Sequence, residues 1–186
     1  GPAARIFTAP EHDYTRKLLV AEPSGEPVEA NPEAEVVMRG EHIKVHFDLS
    51  RGFFSRGRVL KAVDDISVSV RAGQTIGVVG ESGSGKTTLG MALLRLARSE
   101  GAIVFGGDNL QGLPTKALKP FRKHMQIVFQ DPYGSLSPRR SVREIIEQGL
   151  RIHEPDLTEA ERTDRVEAAL SEVDLPASDA DRYPHE

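Results

Sequence analysis

Residues 77–90, GVVGESGSGKTTLG, constrain the fold of this chain more than any other stretch. Gly80, Gly85, Lys86 and Thr87 have the order and spacing of a phosphate-binding loop, with four residues between the two glycines. A short apolar run precedes the loop, and apolar residues at helical spacing follow it. A loop of this kind joins a strand to a helix, so the stretch predicts a strand–loop–helix unit of an α/β fold. The alternative is a glycine-rich turn that binds no ligand.

Each residue type in the loop has a physical reason. Glycine allows a tight turn and lets a ligand approach the backbone closely. Successive backbone N–H groups and the positive end of the following helix favour an anion. Lys86 can reach the β- and γ-phosphates of a nucleotide, and the Thr87 hydroxyl can bind Mg²⁺. We therefore predict a site for nucleotide phosphates and Mg²⁺ that is formed by Ser82, Gly83, Ser84, Gly85, Lys86, Thr87 and Thr88.

The residues around the loop predict a sheet. Alternating apolar and polar residues at 42–49 and 66–70 indicate half-buried strands. The continuous apolar run at 75–80 indicates a strand buried on both faces, as in a parallel sheet. Short apolar runs at 102–105 and 125–129 indicate two further strands, and residues 86–98 indicate a helix.

The chain turns helical after residue 140. The sequences SVRE (141–144) and TEAE (158–161) both fit the capping box, in which a hydroxyl residue is followed three positions later by glutamate. The first helix is expected to bury one face formed by Val142, Ile145, Ile146 and Leu150, and the second a face formed by Val166, Ala169, Leu170 and Val173. Strands first and helices later predict an α/β core followed by a helical subdomain.

Composition narrows the class of protein. The net charge of −4 provides no overall basic field, so we expect no nucleic-acid partner. The absence of cysteine excludes disulfides and thiolate metal sites. The six histidines have no spacing typical of a metal site. Residues 21–34 are rich in proline and glutamate and are interpreted as a linker, with an ordered surface loop as the alternative.

Three features separate the families that share this loop. First, the sequence contains no Asn-Lys-x-Asp for guanine recognition. Second, a glutamine lies at a predicted strand end in IVFQDPYGSLSPR (127–139). Third, an aromatic residue, Phe47, lies in the predicted strands before the loop. Three stretches together resemble the nucleotide-binding domain of ABC transporters, from the entry strand through Walker A and the Q-loop toward the signature. They are AVDDISVSVRAGQTIGVVGESGSGKTTLG, MQIVFQDPYGSLSPRRSV and DRYPHE. The resemblance is greatest to ATPases of peptide importers of the oligopeptide, dipeptide and microcin C type.

This resemblance implies a P-loop NTPase fold and a domain plan. Residues 8–25 are similar to the end of a preceding cassette, which implies a fused double-cassette protein. We expect residues 1–20 to be the tail of that cassette, 21–34 the linker, 35–130 the ATP-binding core and 131–186 the start of the helical subdomain. The chain contains no Leu-Ser-Gly-Gly-Gln signature and no later Asp-Glu strand end, so it is expected to be truncated and, alone, inactive in ATP hydrolysis. Open sheet edges are expected to favour self-association.

The resemblance also assigns roles to residues. Lys86 and Gln130 would be catalytic, Thr87 and Gln130 would contact Mg²⁺, and Phe47 would stack on adenine. The alternative for Phe47 is an ordinary core position; Phe53 and Phe54 are further stacking candidates or coupling-surface aromatics. Asp131 could be mistaken for an acidic metal ligand.

The function implied is the ATP-binding, energy-coupling subunit of a bacterial importer for peptides or peptide-like compounds. It would use ATP and Mg²⁺, hydrolysing ATP in the full-length, dimerised cassettes. Its partners would be transmembrane permease subunits and a second cassette, which would place it peripherally on the cytoplasmic face of the inner membrane. The alternatives are a soluble ABC-type ATPase acting on DNA or ribosomes and a non-enzymatic fragment.

Overall fold

The computed structural model describes residues 3–20, 31–49 and 58–186. Most of the predicted linker, residues 21–30, and the candidates Phe53 and Phe54 lie outside the described residues. The first described segment forms two short helices, α1 (Ala3–Thr8) and α2 (Asp13–Val20). No helix in the described ranges is long and apolar enough to span a lipid bilayer.

A four-stranded antiparallel sheet forms the centre of the fold. Its strands are β1 (Val36–Asp48), β2 (Val59–Arg71), β3 (Glu100–Phe105) and β4 (Asp108–Asn109), in the order β2-β1-β3-β4. The strands predicted at 66–70 and 102–105 lie within β2 and β3, and the predicted strand at 42–49 lies within β1 except for its last residue. Strands β1 and β2 begin earlier in the sequence than predicted. The pairing of β1 with β2 places Phe47 opposite Leu60 and His46 opposite Lys61.

Helices α3 (Lys86–Leu93) and α4 (Thr115–Arg122) contribute to the main hydrophobic core. The core is made of buried residues from the sheet, both helices and the connections between them: Ile43, Val45, Val63, Leu89, Ala92, Ile103, Leu110, Leu118 and Met125. Helix α3 is shorter than the predicted 86–98. Arg95 takes a left-handed conformation with φ 55°, and the Arg122 guanidinium donates to the carbonyl oxygens of Leu94 and Arg95, so the chain leaves the helix there.

Two predicted strands are absent from the part of the chain that the structure describes. Residues 74–80 and 125–129 have no regular secondary structure. Val79 is 92% exposed and Val128 87% exposed, so the prediction that 75–80 is buried on both faces is wrong. The physical reason is that a strand needs a hydrogen-bonded neighbour, and the described sheet ends at β2 on one side and β4 on the other.

The last third of the chain is helical, as predicted. It contains α5 (Pro132–Ser135), α6 (Val142–His153), α7 (Glu159–Glu172) and a 3₁₀ helix (Ala177–Asp181). Both predicted capping boxes are present, at the start of α6 and at the start of α7. Val166, Leu170 and Ala180 form a second core with Val142 and Ile146 against it, whereas Val173 is 63% exposed because α7 ends before it. The fold is therefore the expected α/β core followed by a helical part.

Candidate nucleotide-binding site

The predicted phosphate loop lies between the extended residues 74–80 and the start of α3. Gly83 and Gly85 adopt left-handed conformations, with φ of 81° and 95°. Gly85 is the N-cap of α3 and has no side chain to bond to the first turn of the helix. The first N–H groups of a helix have no acceptor within the helix. The loop therefore presents the positive end of α3 at an exposed surface, which favours an anion.

Strand β2 fixes the position of the loop. A Cβ atom on Gly85 would collide with the carbonyl oxygen of Ala62 in β2. Glycine is therefore required at residue 85 by two independent constraints, the left-handed backbone and the contact with the strand. The same contact places the residues that flank Ala62 next to the phosphate loop.

The Lys86 ammonium group contacts the backbone of the loop and forms no ion pair among the residues that the structure describes. Its Nζ donates to the carbonyl oxygen of Gly80 at 2.8 Å and to that of Glu81 at 2.6 Å. Both acceptors are neutral carbonyl oxygens, so these two hydrogen bonds do not neutralise the positive charge of the ammonium group. Among the loop amides, the Ser84 N–H donates to the Glu81 carbonyl oxygen at 3.2 Å and closes a turn.

Thr87 and Gln130 line one cavity, although 42 residues lie between them in the sequence. The cavity has a volume of about 770 Å³ and is also lined by Gly90, Ile127, Val128, Phe129, Asp131, Gly134 and Ser135. A hydroxyl and an amide oxygen are both ligands that suit Mg²⁺. The structure thus brings the two residues predicted to contact the metal to one place.

Asp131 has a structural role. Its carboxylate accepts a hydrogen bond from the Gly134 N–H at 3.1 Å, and Asp131 is the N-cap of α5. This use of the side chain explains an acidic residue directly after Gln130 without a metal. No group of three or more acidic, histidine or cysteine residues suited to a metal occurs in the described ranges.

A second cavity, of about 480 Å³, lies between the loop and β2. Gly80, Ser84, Gly85 and Lys86 line it from the loop, and residues 61–64 line it from the strand. Within it, the Asp64 carboxylate accepts a hydrogen bond from Lys61 Nζ at 3.0 Å and contacts His46 Nε2 at 3.1 Å. The hydrogen bond from Lys61, followed by the one from His46, lowers the pKa of Asp64 below its ordinary value.

The structure unites some of the predicted residues and separates others. Ser84, Gly85 and Lys86 line the second cavity and Thr87 lines the first, while Ser82 and Gly83 form the exposed tip of the loop. Phe47 is 45% exposed and lies near the end of β1. It is not among the residues that line these two cavities.

The sequence did not single out Lys61 and Asp64. Their place beside the loop depends on the contact between β2 and Gly85, which joins residues more than 20 positions apart. No local motif signals such a contact.

Comparison with known proteins gives a family and several relatives. The model of the ABC transporter family matches residues 63–186. The peptidoglycan transport ATP-binding protein YejF of Agrobacterium fabrum is 53% identical over 100% of the chain, which covers 34% of that protein. The oligopeptide transport ATP-binding protein OppF of Bacillus subtilis is 44% identical over 82% of the chain, which covers 48% of that protein. The chain therefore spans between a third and a half of the length of these relatives.

The fold also matches a solved structure. The ATP-binding cassette MJ0796, in a dimeric structure of a post-hydrolysis state bound to ADP and Pi, superposes with a TM-score of 0.67. The match covers 80% of this chain and 62% of that one at 20% sequence identity. At this level of identity the likeness supports the cassette fold and nothing beyond it.

Proposed function

The chain belongs to the ABC transporter family of ATP-binding domains, and from this premise we propose that it is part of the energy-coupling subunit of a bacterial importer. The cargo would be peptides or peptide-like compounds, since relatives with 53% and 44% identity are named for peptidoglycan and oligopeptide transport. The observation that carries the proposal is the shared cavity of Thr87 and Gln130 beside the phosphate loop.

MgATP is the proposed ligand of this loop. The amides of residues 82–88 and the Lys86 ammonium would hold the phosphates. Thr87 and Gln130 would hold Mg²⁺, which when bound neutralises charge on the phosphate oxygens. A bound γ-phosphate would take over the hydrogen bonds that Lys86 now gives to Gly80 and Glu81. Phe47 is proposed to stack on adenine, because it is 45% exposed and pairs with Leu60, the neighbour of Lys61 in the second cavity.

Hydrolysis is proposed for the whole protein. Lys86 would stabilise charge that develops on the phosphates, and Gln130 would position water or metal at the γ-phosphate. The chain alone is proposed to bind nucleotide without turnover, because two carboxylates and a signature sequence expected of the family are not in it. The whole protein is proposed to be a fused double cassette, because residues 8–25 are similar in sequence to the end of a preceding cassette.

The partners follow from the same assignment. We propose transmembrane permease subunits and a second cassette as the partners, and the cytoplasmic face of the inner membrane as the location. The exposed residues after Gln130, at 131–140, are the proposed point of contact with the permease. Stimulation of ATP hydrolysis by a substrate-loaded permease complex, measured on the whole protein, would support the importer assignment; stimulation by DNA or ribosomes would contradict it.

Binding can be measured directly on this chain. Saturating MgATP at about 100 times its Kd should stabilise the fold by roughly 2.7 kcal/mol. Differential scanning fluorimetry should show this gain in the wild type and its loss in Lys86→Ala. Isothermal titration should show binding of MgATP to the wild type and its loss in the same variant.

Lys116→Ala is the matched control, because Lys116 is exposed on α4 and lines neither of the two cavities. It should keep the MgATP response of the wild type. A wild-type chain without any response to MgATP, or a Lys86→Ala variant with the full response, would contradict the proposed site.

A further inference from the structure

Lys61 is held next to the phosphate loop by the backbone of β2. Its neighbour Ala62 is in direct contact with Gly85 through its carbonyl oxygen, so the strand cannot shift away from the loop without breaking that contact. Lys61 and Lys86 line the same cavity of about 480 Å³. Two ammonium groups therefore border one space at the start of α3.

The Lys61 side chain has capacity for a ligand. Its ammonium group has three donors, and one of them serves the Asp64 carboxylate at 3.0 Å. The side chain is 58% exposed, which leaves room for another acceptor. His46 Nε2 contacts the other oxygen of Asp64 at 3.1 Å, so the carboxylate is held from both sides. Lys61 is thereby oriented by a carboxylate that also contacts His46.

The positions of the two cavities indicate how a bound nucleotide would be oriented relative to the phosphate loop. Thr87 and Gln130, the proposed Mg²⁺ ligands, lie in one cavity, and Lys61 lies in the other. Mg²⁺ held by Thr87 and Gln130 would neutralise charge on the terminal phosphates, so the γ-phosphate would lie on the side of Thr87. The nucleoside end then extends past Lys86 toward β2, and the phosphate nearest to Lys61 is the α-phosphate.

We propose that Lys61 is a nucleotide-binding residue that contacts the α-phosphate of ATP or ADP, and that Asp64 is the positioning residue that orients it. This inference rests on the proposed binding of nucleotide at residues 80–88. Together Lys61 and Asp64 extend the site beyond the phosphate loop, toward the nucleoside.

The test compares the Kd of ATP and of ADP for four forms of the chain: wild type, Lys61→Gln, Lys61→Arg and the control Lys116→Gln. Lys61→Gln should weaken ATP and ADP by the same factor, about tenfold, since both carry the α-phosphate. Lys61→Arg should restore most of the affinity, and Lys116→Gln should leave it unchanged. A structural defect at residue 61 would not be rescued by a charged replacement.

Three outcomes would overturn the inference. Equal affinities of Lys61→Gln and Lys116→Gln would show that Lys61 makes no contact. A loss confined to ATP would place Lys61 at the γ-phosphate. Full recovery in the double variant Lys61→Gln/Asp64→Asn would show that the effect came from an unmasked carboxylate. If the wild type binds and Lys86→Ala does not, each of these outcomes removes the role of Lys61 and leaves the proposed function intact; a wild type that binds neither nucleotide removes both.

Discussion

Gly85 shows at the scale of one residue how the strand and the loop depend on each other. Its φ of 95° is in the left-handed region, and a Cβ would meet the Ala62 carbonyl oxygen. The glycine is thus needed for the turn and for the approach of β2, while Lys86 directly after it begins α3. A change at this position affects stability and ligand binding together.

We expect Gly85→Ala to lower the free energy of unfolding by about 1–3 kcal/mol, because the backbone strain and the collision with β2 both act on the folded state. Urea unfolding followed by circular dichroism measures this change. The variant should also lose the stabilisation by MgATP, since the loop must shift away from the strand.

Gly149→Ala provides a control with the opposite sign. Gly149 lies within α6, and a Cβ there would meet open space. Alanine should stabilise this helix by about 0.5–1 kcal/mol. A Gly85→Ala variant as stable as Gly149→Ala would show that the close contact with Ala62 does not constrain the fold.

At the scale of elements, local signals were predictable and pairing was not. The capping boxes of α6 and α7 depend on residues three positions apart, so the sequence contains the whole signal. Alternation within β1 and β2 and a short apolar run within β3 were likewise enough to predict these strands. The apolar runs at 75–80 and 125–129 also have strand composition, but a strand forms only beside a partner, and the described residues supply none. Self-association through these exposed runs stays a prediction.

The residues of the candidate site also differ in whether the sequence alone could predict them. Walker A and Gln130 were predictable because each is a contiguous motif, and the structure brings Thr87 and Gln130 to one cavity. The roles of Lys61 and Asp64 could not be predicted from the sequence, because they depend on the packing of β2 against the loop.

The capping box of α7 makes the stability of this helix dependent on pH. The Thr158 hydroxyl and backbone N–H donate to the Glu161 carboxylate and hold the pKa of Glu161 below its ordinary value. A carboxylate with a lowered pKa contributes stability above its ordinary value of about 4.3, and this contribution is lost as the pH falls through the folded-state value. Helix α7 should therefore weaken in acid.

Thr158→Ala should destabilise the chain by about 1 kcal/mol at pH 7, as for other helix N-caps. Glu161→Gln keeps an acceptor for the box but removes the titration, so its stability should fall less between pH 5 and pH 3 than that of the wild type. Glu167→Gln, an exposed change on the same helix, is the control. Parallel pH profiles for Glu161→Gln and the wild type would contradict this account.

At the scale of the whole molecule, the described residues form two hydrophobic cores with a cavity between them. One core lies between the sheet, α3 and α4, and the other lies among α6, α7 and the 3₁₀ helix. The cavity has a volume of about 670 Å³ and is lined from both parts. Lys123, just after α4, forms an ion pair across it with Glu154, the C-cap of α6, at 3.4 Å. Gln130 lies in the segment that joins the two parts.

The Lys123–Glu154 ion pair should control orientation more than stability. Its side chains are 50% and 27% exposed, and pairs of this kind contribute about 1 kcal/mol or less. Among the ion pairs of the described ranges, it is the one that joins the two parts, so even a weak bond matters for their angle. Lys123→Gln should therefore change the free energy of unfolding little and broaden the range of distances between α4 and α7.

The absence of cysteine allows this distance to be measured with two introduced spin labels, at Lys116→Cys on α4 and Glu167→Cys on α7. Double electron–electron resonance should give a wider distribution for Lys123→Gln than for the labelled parent. Lys119→Gln, on α4 and without a bridging partner among the ion pairs of the described residues, should leave the distribution unchanged. Because Gln130 lies in the joining segment, a broader distribution should be accompanied by a loss of affinity relative to the labelled parent. This loss should be larger for MgATP than for ATP without metal. Identical distributions for the two variants would show that packing alone sets the angle, and Gln130 would then owe its place beside Thr87 to the segment itself.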